Sequence, residues 1–145
     1  TLQPSEMFST HELFTKPEAS VPLPHQTLQE SSGTRKISKD QATGELVYDV
    51  VSSGGEIKFT DINLIYSSNN SQHYLIKEGD PLSAKIIYIA DFRFARSDWH
   101  VQTKSKLIVT CDEDFFFLKA NILGIENNQI IYSRDWDVKV PRLVY

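Results

Sequence analysis

From Pro81 to Pro141 the chain reads as four strands in immediate succession, joined by turns too short to do more than reverse direction. Residues 84–96 alternate, with Ile86, Tyr88, Phe92 and Phe94 on one side and Ile87, Ile89, Asp91 and Arg93 on the other. Ser97-Asp98 turns the chain. Residues 99–111 then gather Trp99, Val101, Leu107, Val109 and Cys111 on one face and leave His100, Gln102, Lys104 and Lys106 for water. After the acidic turn Asp112-Glu113-Asp114 come a strand over 115–125, the turn residues Glu126 to Gln129, and a strand over 130–140 in which Tyr132, Trp136 and Val138 share a face. Antiparallel strands of this length must bury one face. The fold class expected is therefore all-β, an antiparallel β-sandwich or partly closed β-barrel.

The earlier part of the chain divides in two. Four of the six prolines, Pro4, Pro17, Pro22 and Pro24, fall within residues 1–33, and three of them within nine residues, a density that defeats both helical and ladder hydrogen bonding. We expect residues 1–33 to form an extended strap or linker and 34–145 an antiparallel β domain. A short helix over 7–14, capped by Ser9 or Thr10, is the one helical pattern in the strap. In the β domain, residues 36–39 and 45–51 read as strands about the turn Gln41-Ala42-Thr43-Gly44, with Leu46, Tyr48 and Val50 on one side. Ser52-Ser53-Gly54-Gly55 punctuates, 56–66 reads as a strand carrying Ile57 and Phe59, and 67–72 as a polar loop.

Composition narrows the function classes. The chain is 40% hydrophobic and 23% charged, as in soluble globular proteins, and no apolar run is long enough for a membrane helix. A net charge of −4 with interleaved signs provides no basic stripe for phosphates, so neither nucleic acid nor membrane is expected as a partner. Cys111 is the only cysteine, which forbids an internal disulfide and suits a cytoplasmic protein.

Candidate reactive groups are sparse. No Gly-x-Ser-x-Gly elbow is present to expose a nucleophilic serine. Ser97, Asp98 and His100 lie within one turn, where neighbours rarely adopt triad geometry. His11, His25, His73 and His100 have no metal-ligand spacing, and Asp112-Glu113-Asp114 lacks the glycine and distal glutamate of an EF-hand loop. We expect no catalytic residue, metal or cofactor. Asn69-Asn70-Ser71 fits a glycosylation sequon, relevant to an exported eukaryotic protein alone. Phe115, Phe116 and Phe117 put aromatic rings on both faces of one strand, and burial on both sides is the expectation. Arg134, between Tyr132 and Trp136 on the face assigned to the core, must pair, stack on a ring or reach a rim, with anion binding as the alternative.

Glu78-Gly79-Asp80-Pro81-Leu82-Ser83-Ala84, Arg96-Ser97-Asp98-Trp99, Arg134-Asp135-Trp136 and Val140-Pro141-Arg142, in this order, resemble the C-terminal region of CocE/NonD-type hydrolases, the peptidase S15 or Xaa-Pro dipeptidyl-peptidase-like group. The resemblance covers most of the chain, including the strap around Pro17 to Pro24 and the turn Asp40 to Gly44. It implies a parent enzyme whose α/β-hydrolase domain bears a Ser-Asp-His triad, followed by a β-rich jelly-roll domain and a tail like this one. None of the triad maps here. The matched positions Gly79, Asp80, Pro81, Trp99, Arg134, Trp136, Pro141 and Arg142 are structural in character: a turn at Gly79 and Pro81, core anchors at Trp99 and Trp136. Ser97 replaces a usual glycine, and Asp114 replaces a usual histidine and takes the imidazole from that position. The function expected is a non-catalytic accessory β domain serving stability, domain packing or oligomerisation. Its partners would be the catalytic domain of the same parent chain and further copies of itself. The alternative is a free-standing β-barrel binding a small apolar ligand among Tyr88, Phe92, Phe94, Trp99 and Trp136.

Overall fold

The computed structural model describes residues 18–143. Eight strands follow one another with no helix among the described residues: β1 (His25–Gln29), β2 (Ser32–Lys39), β3 (Glu45–Phe59), β4 (Leu64–Lys77), β5 (Asp80–Arg96), β6 (Trp99–Cys111), β7 (Phe115–Glu126) and β8 (Gln129–Pro141). All belong to one antiparallel sheet. From β3 to β8 each strand pairs with the next, while β1 and β2 share the outer edge of β3, β2 on its first half and β1 on its second. The expected antiparallel all-β class is what the chain forms. The sheet does not close into a barrel, because neither β1 nor β2 pairs with β8. An open sheet of this kind is consistent with a β-sandwich.

The turns follow from local chemistry. Asn127 and Asn128 both take positive φ, 46° and 67°, the requirement of a two-residue hairpin whose twist matches that of its strands. Ser97 supplies φ 52° at the β5–β6 reversal, and Gly79 supplies φ 77° between β4 and β5. In the β6–β7 turn the Asp112 carboxylate accepts hydrogen bonds from the backbone N–H groups of Asp114 (2.9 Å) and Phe115 (2.7 Å), the self-closing turn that aspartate favours.

Three expectations about the first half are corrected. Ser52 to Gly55 does not separate two strands; it lies inside β3, where the register slips between Ser53 and Glu56. Gly55 holds φ 73° there, and a Cβ on it would collide with the Gln29 carbonyl. The glycines mark a bulge rather than a turn. Residues 67–72 are not a loop but the middle of β4, paired with β3 on one side and β5 on the other, which satisfies the backbone whatever the side chains are. The strand expected over 56–66 is broken at residues 60–63, where Asn63 has φ 48°.

The strap is partly strand. Residues 18–24 carry no regular structure, but His25–Gln29 pairs with β3, and the Thr60 N–H donates to the Pro24 carbonyl at 3.1 Å. Proline leaves an extended backbone free to join an edge once the prolines end. The helix expected over 7–14, with Pro4, His11 and Pro17, lies outside the described residues.

Candidate functional surface

Register assigns each side chain to a face, since directly paired residues share one and successive residues alternate. One row runs Val50, Gln72, Tyr88, Leu107, Ala120, Trp136, and the next towards the hairpin at Ser97 runs Ser52, Asn70, Ala90, Ser105, Ile122, Arg134. From β3 to β7 this face carries no charge except at the strand ends Arg96 and Glu126. It is apolar and aromatic, crossed by a waist of small and polar residues. The opposite face has a charged or histidine side chain on every strand from β3 to β8, including Asp49, His73, Asp91, Lys106, Lys119 and Asp137.

No described residue packs over the apolar face. Among the described residues only Gly55, Ser67 and Ala90 are buried, and no strand packs on any but its ladder neighbours. Trp99 remains 40% exposed, Phe94 38% and Tyr132 50%. Full burial of one such side chain is worth roughly 1.5–3 kcal/mol, so a face of this size leaves a large stabilisation unclaimed. Within the face, Tyr66 packs on Phe94 with ring centres 5.1 Å apart, and Tyr48 stacks on Tyr74 at 5.9 Å. These contacts run along the sheet, not across to a second layer.

The charged face satisfies itself locally. His73 Nδ1 and Asp49 Oδ1 are 2.6 Å apart, Gln102 Nε2 donates to both Asp91 oxygens at 2.7 Å, and Asn121 donates to Asp135 at 2.7 Å. Lys119 pairs with Asp137 at 3.2 Å. An open groove of about 460 Å³ lies among Lys106, Ile108, Lys119, Asn121, Asp135 and Asp137. The Phe triplet is divided by the strand: Phe116 lies on the apolar face and is 40% exposed. Phe115 and Phe117 lie on the charged face beneath the Lys139 ammonium, 3.5 and 5.6 Å from their centroids, and are partly rather than fully buried.

The residues singled out by the resemblance fall in four places. Gly79, Asp80 and Pro81 form the β4–β5 turn, where the Ser83 hydroxyl donates to the Asp80 carbonyl at 2.6 Å and accepts the Lys77 N–H at 2.7 Å. Pro141 and Arg142 fasten the end of β8 to the β6–β7 turn at the same end of the sheet. The Arg142 N–H donates to Asp114 O at 2.7 Å and its guanidinium to Asp112 O at 2.9 Å. Trp99 opens β6 at the far end, opposite Arg96, and Arg134 lies over the ring of Trp136 at 4.8 Å on β8. Trp99 and Trp136, expected as core anchors, both lie on the uncovered face. So do Tyr88, Phe92 and Phe94, and no barrel interior encloses them.

Two carboxyls have a distinct environment. The N–H groups of Ala42 and Thr43 hold the Asp40 carboxyl below its usual range, and a hydrogen bond from Lys39, 2.6 Å away, does the same for Glu78. Both are exposed turn residues: Asp40 closes the β2–β3 turn on itself, while Glu78 clips β4–β5 to β2–β3 through Lys39 and through its N–H, which donates to Gly44 O at 2.9 Å. Among the described residues no serine, threonine or cysteine hydrogen-bonds to His73, and no three His, Cys, Asp or Glu side chains gather to hold a metal ion. Ser97, Asp98 and His100 make no bond to one another; the His100 backbone is tied to Asn127 instead. The Asp49–His73 pair was not legible in the sequence, because only the β3–β4 register brings the two together across 24 residues.

No family model, curated protein or solved structure matches this chain. Among the described residues no helix is long and apolar enough to cross a membrane.

Proposed function

We propose that the chain is a non-catalytic accessory β domain of a CocE/NonD-like serine hydrolase, contributing stability, domain packing or oligomer contacts. The observation that carries this reading is the partition of the sheet: an apolar face suited to packing, charged only at its rim, and an opposite face that carries the charged side chains, several of them paired with one another. Chemistry on an acyl group needs a nucleophile, a base and an oxyanion site converging within about 3 Å. Among the described residues the one histidine–carboxylate contact, Asp49–His73, has no serine, threonine or cysteine bonded to it. The family in this reading is drawn from the ordered sequence resemblance around Gly79, Trp99, Trp136 and Pro141. The catalytic domain of the parent chain is the partner this reading names, in the cytoplasm, where a lone Cys111 needs no pairing.

The test is to express the 145-residue chain with and without its upstream coding region and to assay hydrolysis of activated esters and Xaa-Pro amides. Turnover should appear only with an upstream segment containing Gly-x-Ser-x-Gly. Turnover by the 145-residue chain alone, or an upstream frame with no such elbow, would overturn the proposal.

A further inference from the structure

We infer that the apolar face is the contact surface between two copies of this chain, packed face to face as a two-layer β-sandwich. The inference takes up the packing role proposed above but does not depend on hydrolase parentage, because it rests on the sheet alone.

Size is the first argument. Seven strand positions about 4.8 Å apart, with strands of some 13 residues rising about 3.3 Å each, give a face of roughly 1,200 Å². That exceeds the ~800 Å² per partner of a standard stable interface. The second argument is charge. A two-fold interface places a surface against its own copy, so a charge near its centre meets a like charge. Away from the strand ends the apolar face has none across β3–β7; Arg35, Lys39, Arg96, Glu126 and Arg134 all stand at its perimeter. The opposite face, with Lys104, Lys106 and Lys119 near its middle, could not pair with itself this way.

Edge-to-edge association is the weaker route. The free edge β8 carries Arg134, Asp135, Asp137, Lys139 and Pro141, the charges and proline that discourage addition of another strand. Face-to-face packing instead covers the aromatic residues and leaves the charged faces to water on both outer sides.

Both tryptophans, Trp99 and Trp136, lie on the apolar face and report its cover. Sedimentation of the 145-residue chain should give twice the 16.6 kDa chain mass at high concentration and one chain mass on dilution, and tryptophan emission should shift to the red with the same midpoint. Leu107→Asp, at the centre of the face, should weaken dimerisation by about 100-fold or more, and Lys106→Asp, its neighbour on the other face, should not. The wild-type dilution series decides the matter if Leu107→Asp fails to fold. A single-chain mass at every concentration with red emission would overturn the inference and leave the face to another partner. A dimer whose tryptophan emission is insensitive to dilution would overturn it in favour of edge pairing.

Discussion

The two faces of this sheet are made by the same strands, yet they solve opposite problems. On the charged face, polar side chains find partners within one or two strands: Asp49 with His73, Asp91 with Gln102, Asn121 with Asp135, Lys119 with Asp137. On the apolar face, Tyr88, Phe92, Phe94 and Leu107 find only in-plane neighbours, which cannot remove them from water. Polar satisfaction is achievable within a single layer; hydrophobic burial is not, because it needs a second surface. Among the described residues the hydrogen-bonded ladder runs unbroken from β1 and β2 to β8, while no second layer packs against it. Its function is therefore best sought in what lies against the apolar face.

That contrast can be broken by placing one charge on each side of the same strand. Val109→Asp, facing the apolar side, should cost about 3 kcal/mol in urea denaturation, as an unpaired charge in a covered surface does, whereas Ile108→Asp, directly opposite Lys119, should cost no more than about 1 kcal/mol. Equal losses would mean that neither side is covered. A bulk test is smaller in effect. Ala90 is 2% exposed at the waist, so Ala90→Phe should destabilise by about 1–3 kcal/mol through overpacking, while Ile89→Phe on the charged face should be nearly neutral. Denaturation midpoints of the pair would sharpen where the second layer approaches.

Within the charged face, Asp49→Asn should lower stability by no more than about 1 kcal/mol, since the pair with His73 is part-exposed. A double-mutant cycle with His73→Gln gives the coupling. Smallest of all is the acid response of the clips at the turns. The carboxyls of Asp40 and Glu78 are depressed in the folded chain, so their contribution is full above the unfolded values and is lost as the pH falls through the folded ones. Urea midpoints should therefore drop below the ordinary carboxylate range, and by less in Asp40→Asn and Glu78→Gln variants.

The second half of the fold was legible because each of its strands alternates and each reversal has its own turn chemistry, so β6 runs over the residues expected, Trp99–Cys111. The first half was less so. Gly54-Gly55 and the polar run 67–72 carry the composition of turns, but central pairing on both sides overrides composition, and the glycines became a bulge. The sequence also identified the aromatic side of each strand, since alternation groups Tyr88, Phe92 and Phe94 on β5 and Trp99, Leu107 and Val109 on β6; the register between the strands joins the two sets into one face. Its lack of cover was not legible: periodicity says which residues seek burial and is silent on whether the same chain provides the second surface.

The most direct measurement is hydroxyl-radical footprinting of the intact chain at high concentration, read residue by residue on the two faces at once. Tyr88, Phe92, Trp99 and Trp136 should be strongly protected, and Ile108, Phe115 and Phe117 readily modified. Equal modification of both sets, or protection of the charged face in place of the aromatic one, would contradict burial of the aromatic face.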